Sequence, residues 1–274
     1  MVTAKASMTA QRRLYVRVTS IALALLVGCA TEPEAPDPAG VRALAPTGKL
    51  RVGLYPGTPT SIIGNINSGN ARGVGLDLGR ELAKRAGVPF DPVVFPNNAA
   101  VLAAAKSGVV DMVFTNATPA RMRDLDFSPT VLEVELGFLV SRSSPIRSID
   151  EIDRPAVRLG VSAGSTSEAT MSRELQNATL VKAPSLNAAI AMLEAGKLDA
   201  FATNKATLFE MSDQLPGSRI LPGRWGLEHF AIGLPKGREA AMPLVSGFAN
   251  DVKADGRVAR AVEHAGLRGV VLPD

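Results

Sequence analysis

Cysteine occurs once in the 274 residues, at Cys29, which excludes an intrachain disulfide framework and any cysteine-cluster metal site. Histidine occurs twice, at His229 and His264, too few for a His-based metal centre, and no metal or cofactor is expected. Aromatic residues make up only 4% of the chain, with two Tyr and one Trp. A surplus of one charge sign is also missing where it would matter. The formal charge of +4 comes from Lys5, Arg12, Arg13 and Arg17, and removing those four leaves 26 basic against 26 acidic residues. No basic surface therefore remains to attract nucleic acid. What is present, 46% hydrophobic and 20% charged residues over this length, suits one or two globular domains with a substantial core.

The early basic residues have a separate explanation. They precede an uncharged run, Val18 to Gly28, about half of the ~20 apolar residues that a membrane-spanning helix needs. Residues 1–28 therefore read as a signal peptide. Its end, Leu26-Val27-Gly28-Cys29, resembles the bacterial lipobox, which implies lipidation of Cys29 and attachment to a membrane of the bacterial envelope, on the periplasmic side. The stretch Thr31 to Gly40 (TEPEAPDPAG) holds three prolines and three acids without apolar periodicity, so residues 29–47 are expected to form a flexible tether.

From Leu50 onward short apolar runs alternate with helical patterns. Leu50–Leu54 reads as a strand, and Gly75–Ala86 places Leu76, Gly79, Leu82, Ala83 and Ala86 on one helical face. Strands at Pro92–Phe95 and Asp111–Thr115 flank a helix at Ala99–Lys106. The same grammar restarts at Val157–Val161 and runs through helices at Ser165–Gln176 and Ser185–Ala195 to a strand at Asp199–Thr203. Ala104–Phe114 (AAKSGVVDMVF) and Leu193–Phe201 (LEAGKLDAF) repeat helix end, Gly, apolar residue, Asp, strand. This alternation predicts two α/β lobes with parallel sheets covered on both faces. Val131–Val140 and Phe230–Leu234 are long enough to cross between them, and Ala240–Ala254 and Val258–Ala265 return as helices. The expected division is lobe one at 48–140, lobe two at 141–230, and a return to lobe one at 231–274. A cleft between two hinged lobes is a natural small-ligand site.

Four segments carry a family resemblance: LRVG at Leu50–Gly53, GVGLDLGRELAKRAG at Gly73–Gly87, TNATPARMRDLDFS at Thr115–Ser128, and GVSAGSTSEA at Gly160–Ala169 followed by GKLDA at Gly196–Ala200. In this order they resemble the bacterial extracellular solute-binding proteins of family 3, the polar amino acid type that serves ABC importers. The resemblance implies a two-lobed periplasmic-binding-protein fold of type II with two crossing segments. It also implies a monomer that captures a small carboxylate-bearing ligand, an amino acid or related organic anion, and delivers it to a permease without catalysis.

The resemblance places site residues. Arg121 of T-x-x-R is the carboxylate clamp, a planar fork suited to two parallel charge-assisted bonds. Ser165 and Thr166 open a helix whose unpaired N–H groups and dipole favour an anion, although an ordinary N-cap would look the same. Thr115, Asn116, Tyr55 and Thr58 fall at pocket-lining positions. The acid that commonly meets the ligand ammonium is replaced by Asn204, the acid expected before Leu76 by Gly75, and an expected aromatic by Asn98. These departures favour an anionic ligand, or an amine met by neutral acceptors. Two enzymatic alternatives stand beside this reading. One is a dehydratase-like activity using cleft carboxylates, with Glu133, Glu135 and Glu228 near the crossings. The other is a serine hydrolase, since Gly160-Val161-Ser162-Ala163-Gly164 satisfies G-x-S-x-G between strand and helix.

Overall fold

The computed structural model describes residues 37–271, so the expected signal peptide and lipidated Cys29 lie outside the described residues. Folding begins earlier than expected, because the stretch read as a tether to residue 47 contains helix α1 (Pro38–Leu44). Asp37 caps it by accepting from the N–H groups of Ala39 and Gly40, Pro38 supplies a preset φ in the first turn, and Leu44 is 0% exposed.

Lobe one continues with β1 (Leu50–Leu54), α2 (Val74–Ala86), β2 (Phe90–Val94), α3 (Asn98–Lys106), β3 (Met112–Asn116), the short helix α4 (Pro119–Met122) and β4 (Leu125–Phe127). The first crossing is β5 (Leu132–Val140). Lobe two comprises β6 (Arg158–Ser162), α5 (Thr166–Glu174), β7 (Thr179–Ala183), α6 (Leu186–Glu194), β8 (Ala200–Asn204), α7 (Lys205–Gln214) and β9 (Arg219–Ile220). The chain returns on β10 (Gly226–Pro235), then α8 (Met242–Ala254), α9 (Arg257–Ala265) and β11 (Val270–Val271). No helix among the described residues is long and apolar enough to cross a membrane.

The main strand order is β2-β1-β3-β10-β5-β8-β6-β7. β1 pairs in parallel with β2 and β3, and β6 with β7 and β8, as the alternating pattern requires. The crossings run antiparallel to their neighbours. The upper part of β10 pairs β3 through Phe230–Gly233, its lower part pairs β5 through Gly226–Phe230, and β5 then pairs β8 from Leu136 onward. The change of lobe thus falls near Leu136, inside β5, rather than at its end Val140, because the residues beyond Leu136 are already bonded into lobe two. The two crossings form a hydrogen-bonded ribbon.

Each sheet is covered on both faces. In lobe one, α2, α8 and α9 enclose Leu76, Met112, Ile232 and Phe248, while α3 packs Val101 and Ala105 against Val113. In lobe two, Met171 of α5 meets Leu159 and Val161, and Leu193 and Leu208 cover Phe201 on the opposite face. The repeated Gly-apolar-Asp element has one structural meaning in both lobes. Asp111 accepts from the backbone N–H, Nε and Nη2 of Arg51, and Asp199 does the same from Arg158. A bidentate clamp thereby fixes the start of each lobe's first strand to the entry of its third.

Gly75 stands where an acid was expected. The carbonyls of Pro59 and Thr60 accept from the N–H groups of Val74 and Gly75, and a Cβ on Gly75 would lie 3.1 Å from the Thr60 carbonyl. The loop after β1 therefore occupies the space such a side chain would need.

Candidate ligand-binding cleft

The lobes meet across a cleft of about 620 Å³ empty volume, open solvent included. Strand ends and helix starts on both sides deliver its polar groups, the usual place for ligands in parallel α/β sheets. Arg121 illustrates how local sequence positions a side chain. Thr118 caps α4 by accepting from the Arg121 N–H, and Pro119 fills the first helical position. That turn aims the guanidinium back onto the end of β3, where Nη1 donates to Thr115 Oγ1 at 2.8 Å and to the Asn116 carbonyl at 3.1 Å. Among the described residues Nε and Nη2 take up no hydrogen-bond partner, so Arg121, which lines the cleft, has donors to spare. Burial lowers the Arg121 pKa, opposed by the negative charge of Glu228. The flanking Asp-Phe-Ser works differently: Ser128 Oγ accepts from the Ile232 N–H and Asp126 pairs with Lys236, tying β4 to β10.

From lobe two, Ser165 and Thr166 line the same cleft. Ser165 is also the N-cap of α5, accepting from Glu168 N–H, while the Glu168 carboxylate accepts from Gly164 N–H at 2.6 Å. Part of the helix's positive end is therefore satisfied internally, and what Ser165 and Thr166 add to the cleft is their hydroxyl groups. Thr166 Oγ1 accepts from Asn116 Nδ2 at 3.1 Å, a direct bond between lobes. Asn98 Nδ2 reaches the Gly164 carbonyl and Asn97 Nδ2 the Pro184 carbonyl, so where an aromatic was expected an amide spans the gap. The lobes are in a closed arrangement.

Of the expected site residues, Arg121, Ser165, Thr166, Thr115, Asn204 and Tyr55 line this cleft. Asn116 lies just behind them, bonding Thr166 and accepting from the His229 N–H through Oδ1. Thr58 is the exception: it is fully buried, bonded to Thr60 and to Thr207 of lobe two, and does not reach the cleft wall. It fastens the loop after β1 to α7. Trp225 packs on Phe138 and donates to the Gly137 carbonyl within lobe two. The aromatic surface in the cleft comes instead from Tyr55 and Phe230. Burial, helped by the charge of Glu228, pushes the Tyr55 phenol up to about 12, so it remains a donor at neutral pH.

Glu228, which the sequence suggested only as a carboxylate near the crossings for the enzymatic alternative, is the principal addition to the expected binding residues. It lines the cleft from the crossing strand at 7% exposure and accepts from Asn204 Nδ2 at 3.1 Å. Burial raises its pKa; the positive charge of Arg121 and hydrogen bonds from Asn204, Thr166 and Asn116 oppose that rise. Asn204 itself caps α7, its Oδ1 accepting from both the N–H and the hydroxyl of Thr207. A carboxylate at 204 would face Glu228 directly, and a charged pair so close is disfavoured.

The hydrolase constellation does not assemble. Ser162 lines the cleft, but His229 is exposed and paired with Glu133, and His264 pairs with Asp77 between α9 and α2. Asp199 and Asp213 are engaged by Arg158 and Arg268.

Closure depends on a close backbone approach at Gly164, whose φ is +72° and whose added Cβ would lie 2.9 Å from Ala99 Cβ in the other lobe. Gly164→Ala is expected to lower the melting temperature through left-handed strain of about 1–2 kcal/mol. It should also weaken ligand binding through the clash. Adding Ala99→Gly should restore affinity in titration calorimetry without restoring the melting temperature. Affinity unchanged in the single variant would mean that the closed contact does not form on binding.

Comparison with known proteins bears on the fold and the family. The ABC transporter glutamine-binding protein of Bacillus subtilis (strain 168) is 25% identical over 209 residues, 73% of this chain and 75% of the relative. The structure of an ancestral arginine-binding protein bound to glutamine superposes with a TM-score of 0.71 at 25% identity, over 81% of this chain and 98% of that one. The solute receptor for L-cysteine of Neisseria gonorrhoeae gives a TM-score of 0.73 at 25% identity, over 82% and 92%. The profile of the bacterial extracellular solute-binding proteins, family 3, matches residues 50–266, and the chain belongs to that family.

Proposed function

We propose that the protein captures a small carboxylate-bearing ligand of the amino acid class in the interlobe cleft and presents it to the permease of an ABC importer, as a monomer held at the envelope by lipid on Cys29. The observation that carries this reading is the geometry of Arg121. Its guanidinium is pinned through Nη1 by Thr115 and the Asn116 carbonyl, and Nε and Nη2 stay without a partner among the described residues at the cleft wall. The hydroxyls of Ser165 and Thr166 approach from the opposite lobe. A carboxylate between them would bond to both lobes at once, and a ligand that prefers the closed arrangement shifts the population toward it. The glutamine, arginine and cysteine named for the relatives indicate the ligand class.

Lipid attachment rests on the sequence around Cys29 and is tested by mass spectrometry of membrane-extracted protein and of a Cys29→Ala variant. The ligand class is tested by thermal shift of the purified protein against amino acids, dicarboxylates and other small anions. At a concentration one hundred times Kd a true ligand should stabilise by about 2.7 kcal/mol. A stabilising panel without any carboxylate-bearing compound would refute the reading.

A further inference from the structure

We infer that Thr58, which does not reach the cleft wall, is a positioning residue for ligand capture: its bond to Thr207 joins two buried polar pairs, one in each lobe, and holds the closed cleft in register. This rests on the reading of the cleft given above and deepens it. The sequence placed Thr58 among the residues that touch the ligand. The structure sets it behind the wall, on the loop that carries Tyr55 and in contact with Thr207 of α7; Tyr55 and Thr207 both line the cleft.

Each lobe contributes a local pair. In lobe one the hydroxyls of Thr58 and Thr60 lie 2.9 Å apart. In lobe two Asn204 Oδ1 accepts from the Thr207 N–H at 3.0 Å. The Thr207 hydroxyl stands between the pairs, with two acceptors in reach: Thr58 Oγ1 at 2.8 Å and Asn204 Oδ1 at 3.0 Å. A hydroxyl has one proton to give. In the closed form that proton serves the nearer oxygen, across the lobes, and when the lobes part it falls back to Asn204. Opening therefore breaks one interlobe bond and strands no proton of Thr207, as a contact made and broken in every binding cycle requires. All four side chains are buried, Thr58 at 0% exposure and Asn204, the most exposed, at 5%. Buried polar groups that are fully bonded specify one arrangement of the elements that carry them.

The loop presents Thr58 from a fixed frame. The Thr58 carbonyl accepts from the Ser61 N–H, the Ile62 carbonyl from the Gly57 N–H, and Ser61 Oγ from the Tyr55 N–H, so the turn is tied to itself as well as to the start of α2. Gly57, at φ +95°, brings the same loop against α6 of lobe two, where an added Cβ would lie 3.0 Å from Leu186 Cδ1. The loop thus meets lobe two twice, by shape at Leu186 and by hydrogen bond at Thr207, and both of those residues line the cleft. Any displacement at Thr58 shifts the wall that carries Tyr55 against the wall that carries Thr207 and Asn204. A bond made only in the closed form favours that form, and so raises ligand affinity without touching the ligand.

The test screens the purified full chain by thermal shift against the standard amino acids, and the one that stabilises it most is titrated calorimetrically into the wild type and its variants. Thr58→Val, which exchanges the hydroxyl for a methyl, should lose about 3–10-fold in affinity, the worth of one hydrogen bond. Thr58→Ser keeps the hydroxyl and gives up a buried methyl, so it should melt earlier yet bind like the wild type. That opposite pattern separates positioning from mere support of the loop. Thr207→Val should also weaken binding, and adding Thr58→Val to it should cost nothing further, because the bond is already gone. Thr58→Ala should bind as weakly as Thr58→Val, and it carries the test if valine packs poorly. Wild-type affinity in Thr58→Val and Thr58→Ala, or losses that add in the double variant, overturns the role of Thr58 and leaves capture in the cleft standing. A panel in which no amino acid stabilises the wild type overturns the capture reading itself.

Discussion

Arg121→Ala is expected to lose at least about 30-fold in ligand affinity, and as much as several thousand-fold. Removing one partner of a buried charge-assisted pair costs roughly 2–5 kcal/mol, much of it from leaving the other charge unpaired. One feature puts this change at the upper end. The guanidinium is preorganised by Thr115 and the Asn116 carbonyl, so little side-chain entropy remains to be lost on binding. Glu228 would also lose the positive charge that opposes its upward shift, so its buried carboxyl would move further toward the neutral form. Arg121→Lys should recover only part of the loss, because an ammonium cannot reproduce the fork. The fold should survive both changes, since Arg121 packs against no core. Full affinity in the alanine variant, measured calorimetrically, would remove Arg121 from the site.

The largest effect on stability is expected from Asp111→Ala, and its twin in lobe two supplies the control. Asp111 is 0% exposed and holds two arginines, Arg51 at 2.6 Å and Arg238 at 2.7 Å, whose side chains are 20% and 12% exposed. Deleting it strands two nearly buried cations and frees the start of β1, at a cost of about 3–5 kcal/mol. Asp199 makes the same clamp on Arg158, but the two side chains are 31% and 42% exposed, so solvent screens the pair and Asp199→Ala should cost about 1 kcal/mol. At ~2–4 °C per kcal/mol for a protein of this size, the two melting temperatures should differ by several degrees. Equal losses in calorimetric melting would show that burial does not set the strength of the clamp.

The repeat that exposes these two clamps was legible in the sequence, because Gly-apolar-Asp at a helix-to-strand junction recurs with the same spacing. The β-α-β order was legible for a similar reason: buried parallel strands read as short apolar runs and their helices as 3.6-residue stripes. Helix α1 was hidden by composition, since prolines and acids resemble a tether, although Asp37-Pro38 was the local signal of a helix start. Helix α7 escaped because it buries a mixed set, Ala206, Thr207, Leu208 and Met211. In the cleft, the clamp of Thr118 and Arg121 is local and could be read. The place of Glu228 depends on the pairing of β10 with β3 and β5. One cue existed: Glu228 and Phe230 alternate with the exposed His229, which puts both on the inward face of a strand. An acid on an inward face is a stronger signal than proximity to a crossing.

The manner in which the chain enters and leaves lobe two has a consequence for biogenesis. Lobe two is one uninterrupted stretch between the crossings, whereas the main core of lobe one joins Leu50, Leu76 and Met112 to Ile232, Phe248 and Leu267. During synthesis the middle of the polypeptide has all its packing partners before the beginning does. The earlier segment must wait, with apolar surface uncovered, until the final helices emerge, which makes it the portion most in need of chaperone protection during synthesis.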